Sequence, residues 1–307
     1  MVSFDNIINT QLLLLSLIAI GVITAKSKLV DKQGAATLSE LVLNVLLPCN
    51  ILSSFINNEG KDIFRSLALM LIISVFIQAA AFVLGKYVFY RAMPPEQKNV
   101  LCYSTLISNA SFLGNPVVES IFGLSALVYA SVYLLPLRVS MWTLGMSLFT
   151  GGGKGNIKKI ALHPCMIATY LGVILLLTGW NPPPVINRIV FSVGNCLTAI
   201  SMIVVGNILA QVSLRKIITK TVLYFSFIRL LLLPAALIGI LFLLRTDPLI
   251  AGVSVALTGM PAPATASILA SKYGGDSELA SRLTLVSVLL SMLTVPAMVM
   301  LIGYLFK

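Results

Sequence analysis

Long apolar runs separated by short polar gaps make up most of this sequence. Each run has about 20 residues, which is the length that a helix needs to cross the hydrocarbon core of a bilayer. We therefore predict ten membrane-spanning helices, spans 1 to 10, at residues 6–25, 35–57, 65–90, 98–122, 124–150, 160–179, 184–212, 218–244, 247–272 and 280–306. The longest polar gap, 151–159, is predicted to link a first five-helix repeat at 1–150 to a second at 160–307.

Composition and charge agree with a polytopic membrane protein. Apolar residues make up 58% of the chain and charged residues only 10%, against about 25% charged residues in soluble domains. This composition excludes an ordinary soluble enzyme, a disordered protein and a nucleic-acid-binding domain. Fourteen Lys and Arg residues lie in or beside the gaps after the odd-numbered spans, and five lie on the other side. Because cytoplasmic loops carry the excess positive charge, we predict that 151–159 is cytoplasmic and both termini are outside, in the plasma (inner) membrane.

Five spans in each half would orient the second half opposite to the first, as in many secondary transporters. The same motif recurs 145 residues apart, as Gly114-Asn115-Pro116 in span 4 and Gly259-Met260-Pro261 in span 9. Proline removes a backbone donor and glycine tolerates a distorted backbone. We therefore predict that spans 4 and 9 are broken there and cross, with restarted half-helices that direct free N–H groups toward the membrane centre. Ordinary proline kinks are the alternative for either motif alone.

Polar and charged residues inside the spans are the candidates for substrate binding. The predicted substrate-binding residues are Asn109, Gly114, Asn115, Pro116, Gly259, Pro261, Thr265 and Arg138; Asn50, Asn195 and Arg229 are weaker candidates. An arginine in mid-membrane costs at least about 2.5 kcal/mol to insert, so it requires a partner or a cavity. Arg138 and Arg229 therefore either bond to Glu119 or to backbone carbonyls, or bind a substrate carboxylate. Glu119 is the candidate for carrying a coupling proton, with an interfacial or structural role as the alternative.

Cysteines and histidine give no sign of a cofactor. We expect Cys49, Cys102, Cys165 and Cys196 to act as small hydrophobic residues, because they lie in or beside apolar runs and show no CxxC spacing. His163, the single histidine, precedes Pro164 at the start of span 6 and is interpreted as an interfacial residue. We predict no metal site and no cofactor. A membrane-embedded enzyme is disfavoured, and an anion channel is the nearer alternative because broken helices also line pores.

Short motifs, strongest in spans 2, 4, 9 and 10, carry a family resemblance. In spans 9 and 10 they are Met260-Pro-Ala-Pro263, Leu269-Ala270, Tyr273-Gly274, Asp276, Glu278-Leu279-Ala280, Ser287, Ser291, Thr294 and Pro296. Together with Leu41–Pro48 in span 2 and Gly114–Pro116 in span 4, they resemble the auxin efflux carrier family. The chain looks like a compact bacterial-type member similar to malate and malonate permeases, because it lacks the long central loop of many plant carriers.

The resemblance implies two inverted five-helix repeats, divided into a scaffold of spans 1, 2, 6 and 7 and a transport domain of spans 3–5 and 8–10. It also implies dimers, an organic anion substrate, and a site lined by Asn109, Asn115, Pro116 and Pro261. Thr265 stands where many members carry asparagine. We therefore predict a secondary active transporter for a small mono- or dicarboxylate that works by alternating access. Protons are the predicted coupling ion, with sodium as the alternative.

Overall fold

A computed structural model describes residues 4–56, 63–89, 94–150, 162–210, 217–263 and 265–306. Within these ranges the chain forms helices and no β-strand. Six helical stretches are long and apolar enough to cross a membrane, namely Gln33–Ile56, Phe64–Val88, Leu124–Phe149, Pro184–Ala210, Lys220–Leu243 and Ser277–Leu305. Three shorter apolar helices are Leu12–Lys26, Pro164–Thr178 and Pro248–Thr258. The prediction of an all-α, multi-pass membrane protein is thus confirmed.

The helices of the first half follow predicted spans 1 to 5. They are α1 (Phe4–Lys26), α2 (Lys32–Leu41), α3 (Leu47–Ile56), α4 (Phe64–Val88), α5 (Pro95–Leu106), α6 (Asn115–Phe122), α7 (Leu127–Ser140) and α8 (Met146–Thr150). Single π-helical turns occur at Val42–Leu46, Ala110–Gly114 and Met141–Gly145. The first joins α2 to α3, the second leads into α6, and the third joins α7 to α8.

The helices of the second half follow predicted spans 6 to 10. They are α9 (Pro164–Thr178), α10 (Pro184–Gly194), α11 (Cys196–Ala210), α12 (Lys220–Phe227), α13 (Leu233–Leu243), α14 (Pro248–Thr258), α15 (Thr265–Tyr273) and α16 (Ser277–Leu305). A π-helical turn at Ile228–Leu232 joins α12 to α13. The predicted linker 151–159 lies outside the described residues, and the inverted relation of the two halves stays a prediction.

Aspartate residues mark the start of three of these helices. Asp31, Asp247 and Asp276 precede α2, α14 and α16, and each accepts a hydrogen bond from a backbone N–H of the first turn, at 2.7, 2.9 and 2.8 Å. A side-chain oxygen at this position satisfies one of the N–H groups that have no partner within the helix. These three acids therefore have a structural explanation.

The spans pack in two groups. Spans 1, 2, 6 and 7 pack against one another and form the four-span group, while spans 3–5 and 8–10 form the six-span group. Within the four-span group, α1 and α11 approach so closely that a Cβ atom built on Gly21 or Gly206 would lie 2.0 Å from a carbonyl oxygen of the facing helix. Small residues allow this kind of backbone contact between membrane helices. The candidate site lies between the two groups.

Candidate substrate-binding cavity

Spans 4 and 9 are both interrupted, and the two interruptions touch. In span 4, residues 107–109 separate α5 from the π-helical turn before α6, and in span 9, residues 259–263 follow the end of α14. The backbone N–H of Asn109 donates a hydrogen bond to the carbonyl of Pro261 at 2.8 Å. A Cβ atom on Gly114 would lie 2.8 Å from a leucine side chain of α14, so glycine permits the close approach. The two broken spans therefore meet at their interruptions, and we call this meeting point the crossing; the inverted-repeat geometry predicted for it stays a prediction.

The break in span 4 lies before the Gly114-Asn115-Pro116 motif, which corrects its predicted position. Ile107 is extended, and the carbonyl of Asn109 accepts the first hydrogen bonds of the restarted helix. The proline of the motif, Pro116, then stands within continuous helix, because α6 directly continues the π-helical turn at Ala110–Gly114. The break in span 9 does include Gly259-Met260-Pro261. A second proline, Pro263, also disfavours the helical conformation for the residue before it. The next helix, α15, begins at Thr265.

Arg229 connects the two interruptions. Its side chain is 2% exposed. Its Nε atom donates to the carbonyl of Met260 and its Nη1 atom to the carbonyl of Thr105, both at 3.2 Å. One carbonyl belongs to each broken span. In the membrane, backbone groups released at a break require partners inside the protein, and Arg229 supplies them. Of the alternatives predicted for this arginine, bonding to backbone carbonyls is the one present in the structure.

A cavity of about 250 Å³ lies beside the crossing, between the two groups of spans. Its polar lining residues are Ser39, Ser108, Asn109, Ser111, Arg138, His163, Thr265 and Thr284. Most other lining side chains are apolar, among them Leu43 and Val205 of the four-span group and Leu137 and Val288 of the six-span group. The first residues after both breaks reach this cavity, since Ser111 and Thr265 are among the lining residues. The cavity therefore combines an apolar wall with two half-helix N-termini.

Arg138 supplies the guanidinium group of the cavity. It is 7% exposed, and neither its Nη1 nor its Nη2 atom has a hydrogen-bond partner within the described ranges. Buried polar groups in proteins are nearly always paired, and a buried unpaired charge is especially costly. The planar guanidinium matches the geometry of a carboxylate, to which it can donate two parallel hydrogen bonds. Arg138 therefore combines a place in the wall of the cavity with two terminal nitrogen atoms that have no partner in the described ranges, and its role in anion binding stays a prediction.

Glu119 belongs to a different cluster, which we call the Glu119 cluster. Its Oε2 atom accepts hydrogen bonds from Asn50 Nδ2 at 3.3 Å and from Thr198 Oγ1 at 3.4 Å. Asn50 also donates to the carbonyl of Gly194 at 3.4 Å, whereas the neighbouring Asn195 is exposed. The cluster links span 4 of the six-span group to spans 2 and 7 of the four-span group. Glu119 is therefore bonded elsewhere than to the arginine of the cavity.

The predicted substrate-binding residues fall into two sets. Those that line the cavity are Asn109, Arg138 and Thr265, whose hydroxyl is 3.0 Å from that of Tyr103. The others are buried at or beside the crossing and are not among the lining residues: Gly114, Asn115, Pro116, Gly259 and Pro261. Sequence reasoning missed the lining residues Ser39, His163 and Thr284. Only His163 carried a signal, as the single histidine beside a predicted span.

Comparisons with known proteins identify the family. The family described as "Membrane transport protein" matches residues 6–158 and 153–299. An uncharacterized transporter of Methanothermobacter thermautotrophicus is 27% identical over 290 residues, covering 94% of this chain and 95% of that protein. An uncharacterized transporter of Methanocaldococcus jannaschii is 26% identical over 178 residues, covering 55% and 57%. A proposed malonate transporter of Rhizobium meliloti is 22% identical over 299 residues, covering 93% and 92%. The chain therefore belongs to the membrane transport protein family, which the resemblance to auxin efflux carriers indicated, and it is a transporter and not an enzyme.

Proposed function

We propose that this transporter carries a small organic anion, a mono- or dicarboxylate, across the cytoplasmic membrane by alternating access. The observation that carries the proposal is that Arg138 lines a cavity beside two broken helices while its Nη1 and Nη2 atoms have no partner in the described ranges. A carboxylate would accept hydrogen bonds from both Nη atoms. Asn109 and Thr265 would orient it from the two breaks. The name of the Rhizobium meliloti relative, a proposed malonate transporter, points to the same substrate class.

The half-helix N-termini would add to the attraction for an anion. Ser111 lies in the first turn after one break and Thr265 is the first residue of α15. A helix N-terminus carries a partial positive charge and unpaired N–H groups. Discontinuous helices direct such ends at anionic substrate groups in other secondary transporters. Together with Arg138, these ends would offset the charge of a carboxylate in a mostly apolar cavity.

The arrangement of the two groups of spans supports an inward-facing state. Ser39, His163 and Thr284 lie near those ends of spans 2, 6 and 10 that we predict to be cytoplasmic. The Glu119 cluster lies nearer the opposite ends of spans 2 and 4 and at the middle of span 7, and it bonds the two groups together there. Movement of the six-span group relative to the four-span group would break these bonds. We therefore propose that Glu119 carries the coupling proton, with sodium as the alternative ion. The resemblance to carriers that form dimers supports a homodimer.

Uptake by proteoliposomes tests the proposal. Purified protein would be reconstituted and supplied with radiolabelled malonate, malate or indole acetate, with and without an inward proton gradient. Replacement of Arg138 by glutamine should raise KM at least about tenfold, because a hydrogen bond to a charged group is lost. Arg188, which is exposed on α10, provides the matched control, and Arg188→Gln should transport normally.

Two results would count against the proposal. An unchanged KM in Arg138→Gln would make this arginine structural and remove the anion site. Currents that grow with voltage and never saturate with substrate would instead favour an anion channel. Saturable uptake with counterflow is the expected behaviour of a carrier.

A further inference from the structure

His163 has a fixed tautomer because of the way in which it caps a helix. It directly precedes α9, and its Nδ1 atom accepts a hydrogen bond from the backbone N–H of Cys165 at 3.3 Å. A backbone amide can only donate, so Nδ1 carries no proton in this arrangement. The ring proton must then be on Nε2. The fold thus turns His163 into a neutral side chain with one N–H donor at its far end.

This donor has no partner in the part of the protein that the structure describes. His163 lines the same cavity as Arg138. The only side-chain hydrogen bond of His163 in the described ranges is the one at Nδ1. The Nε2–H of His163 therefore joins the other side-chain donors of the cavity that have no partner in the described ranges, among them the Nη atoms of Arg138 and the hydroxyl of Ser108.

We propose that His163 is a second anion-binding residue and makes the cavity select dicarboxylates over monocarboxylates. This inference rests on the proposed carboxylate transport. One carboxylate occupies both Nη atoms of Arg138, and a monocarboxylate has no further charged acceptor. The second carboxylate of a short dicarboxylate accepts the Nε2–H of His163. A site built to hydrogen-bond a substrate group discriminates strongly against analogues that lack the group, because its own polar atoms then stay unpaired.

Two substitutions separate the cap from the anion-binding donor. His163→Asn keeps a side-chain oxygen suited to the helix cap but has no donor at the position of Nε2. His163→Gln places an amide N–H near that position and lacks the short acceptor that forms the cap. We expect His163→Asn to raise the KM for malonate at least about tenfold, as for the loss of one good hydrogen bond. Propionate, a monocarboxylate, should inhibit malonate uptake by His163→Asn as strongly as it inhibits uptake by the wild type. His163→Gln should retain a malonate KM within about threefold of the wild type.

The single histidine also permits a measurement that does not depend on transport. Protein labelled with ¹⁵N-histidine and purified without a histidine tag reports His163 alone, since the chain contains one histidine. We expect the Nε2-protonated tautomer in the free protein. Malonate should shift the Nε2 resonance with saturation, and propionate should shift it much less.

The outcomes distinguish the role of His163 from the proposed transport of carboxylates. Wild-type uptake of malonate with an unmoved Nε2 resonance, or a wild-type malonate KM in His163→Asn, would overturn the role of His163 and leave carboxylate transport standing. Failure of the wild-type protein to bind or transport any of the carboxylates would overturn the proposed function and this inference with it.

Discussion

The substitution Gly206→Ala tests whether the close packing of α1 against α11 positions the cavity. A Cβ atom on Gly206 would lie 2.0 Å from the carbonyl oxygen of Ile18, and real Cβ contacts essentially never fall below 3.0 Å. The two helices would therefore have to separate locally by at least 1.0 Å, the difference between these distances. Val205, the preceding residue, lines the cavity. Separation of α11 from α1 would then also displace one wall of the cavity.

Two opposing effects decide the sign of the stability change. Alanine has a higher helix propensity than glycine by about 1 kcal/mol. Overpacking costs about 1–3 kcal/mol, and a gap of about 1 Å forfeits up to half of the dispersion attraction between facing atoms. We expect the upper end of that cost, because the clash is with the backbone of Ile18, which cannot rotate away. The net loss of stability for Gly206→Ala is then about 2 kcal/mol.

A matched control isolates the helix propensity. Gly239 lies inside α13, and a Cβ atom on it would meet nothing within 4 Å. Gly239→Ala should therefore leave stability unchanged or raise it by up to about 1 kcal/mol. Thermal unfolding of both variants in one detergent would show a lower Tm for Gly206→Ala and an equal or higher Tm for Gly239→Ala. A wild-type Tm and a wild-type KM in Gly206→Ala would refute the packing of α1 on α11 as described.

Two further predictions concern the crossing and the Glu119 cluster. Pro261→Ala should reduce uptake more than Pro116→Ala, because alanine would allow helix in the non-helical segment that contains Pro261, whereas Pro116 already stands within continuous helix. Equal uptake rates in the two variants, normalised to reconstituted protein, would contradict this. Glu119→Gln keeps a side-chain oxygen for Asn50 but cannot release a proton. We expect counterflow to persist and stimulation by a proton gradient to disappear; a normal response to the gradient would exclude Glu119 as the coupling residue.

The spans could be predicted from the sequence because the bilayer imposes their length and apolar character. Predicted span 3 at 65–90 corresponds to Phe64–Val88, and predicted span 10 at 280–306 to Ser277–Leu305. The position of the break in span 4 could not be predicted in the same way. A proline is compatible with a helix that passes through a π-helical turn, as at Ala110–Gly114, as well as with a break. The actual break carries no local signal and depends on the hydrogen bond between Asn109 and Pro261, which is a contact between distant parts of the chain.

The contact of His163 with the cavity was also beyond local reasoning. Next to Pro164, a histidine is expected at the membrane interface, and its place at the start of a helix is indeed what the structure shows. The packing of α9 against span 2 and α7 then brings this helix start to the same cavity as Arg138. A residue that caps a helix for local reasons can thereby acquire a position in a binding site through tertiary packing alone.

Arg138 and Arg229 show how equivalent local patterns lead to different roles. Each is an arginine near the middle of an apolar span, with the same minimum insertion cost of about 2.5 kcal/mol. Arg229 offsets this cost with bonds to two carbonyls, one on each broken span, and so contributes to the crossing. Both Nη atoms of Arg138 lack such bonds in the described ranges, so water or an anion in the cavity must offset its cost. An anion that binds there stabilises the folded carrier in proportion to its affinity. Under the proposed function, binding of the anion is therefore the step that pairs the charge of Arg138.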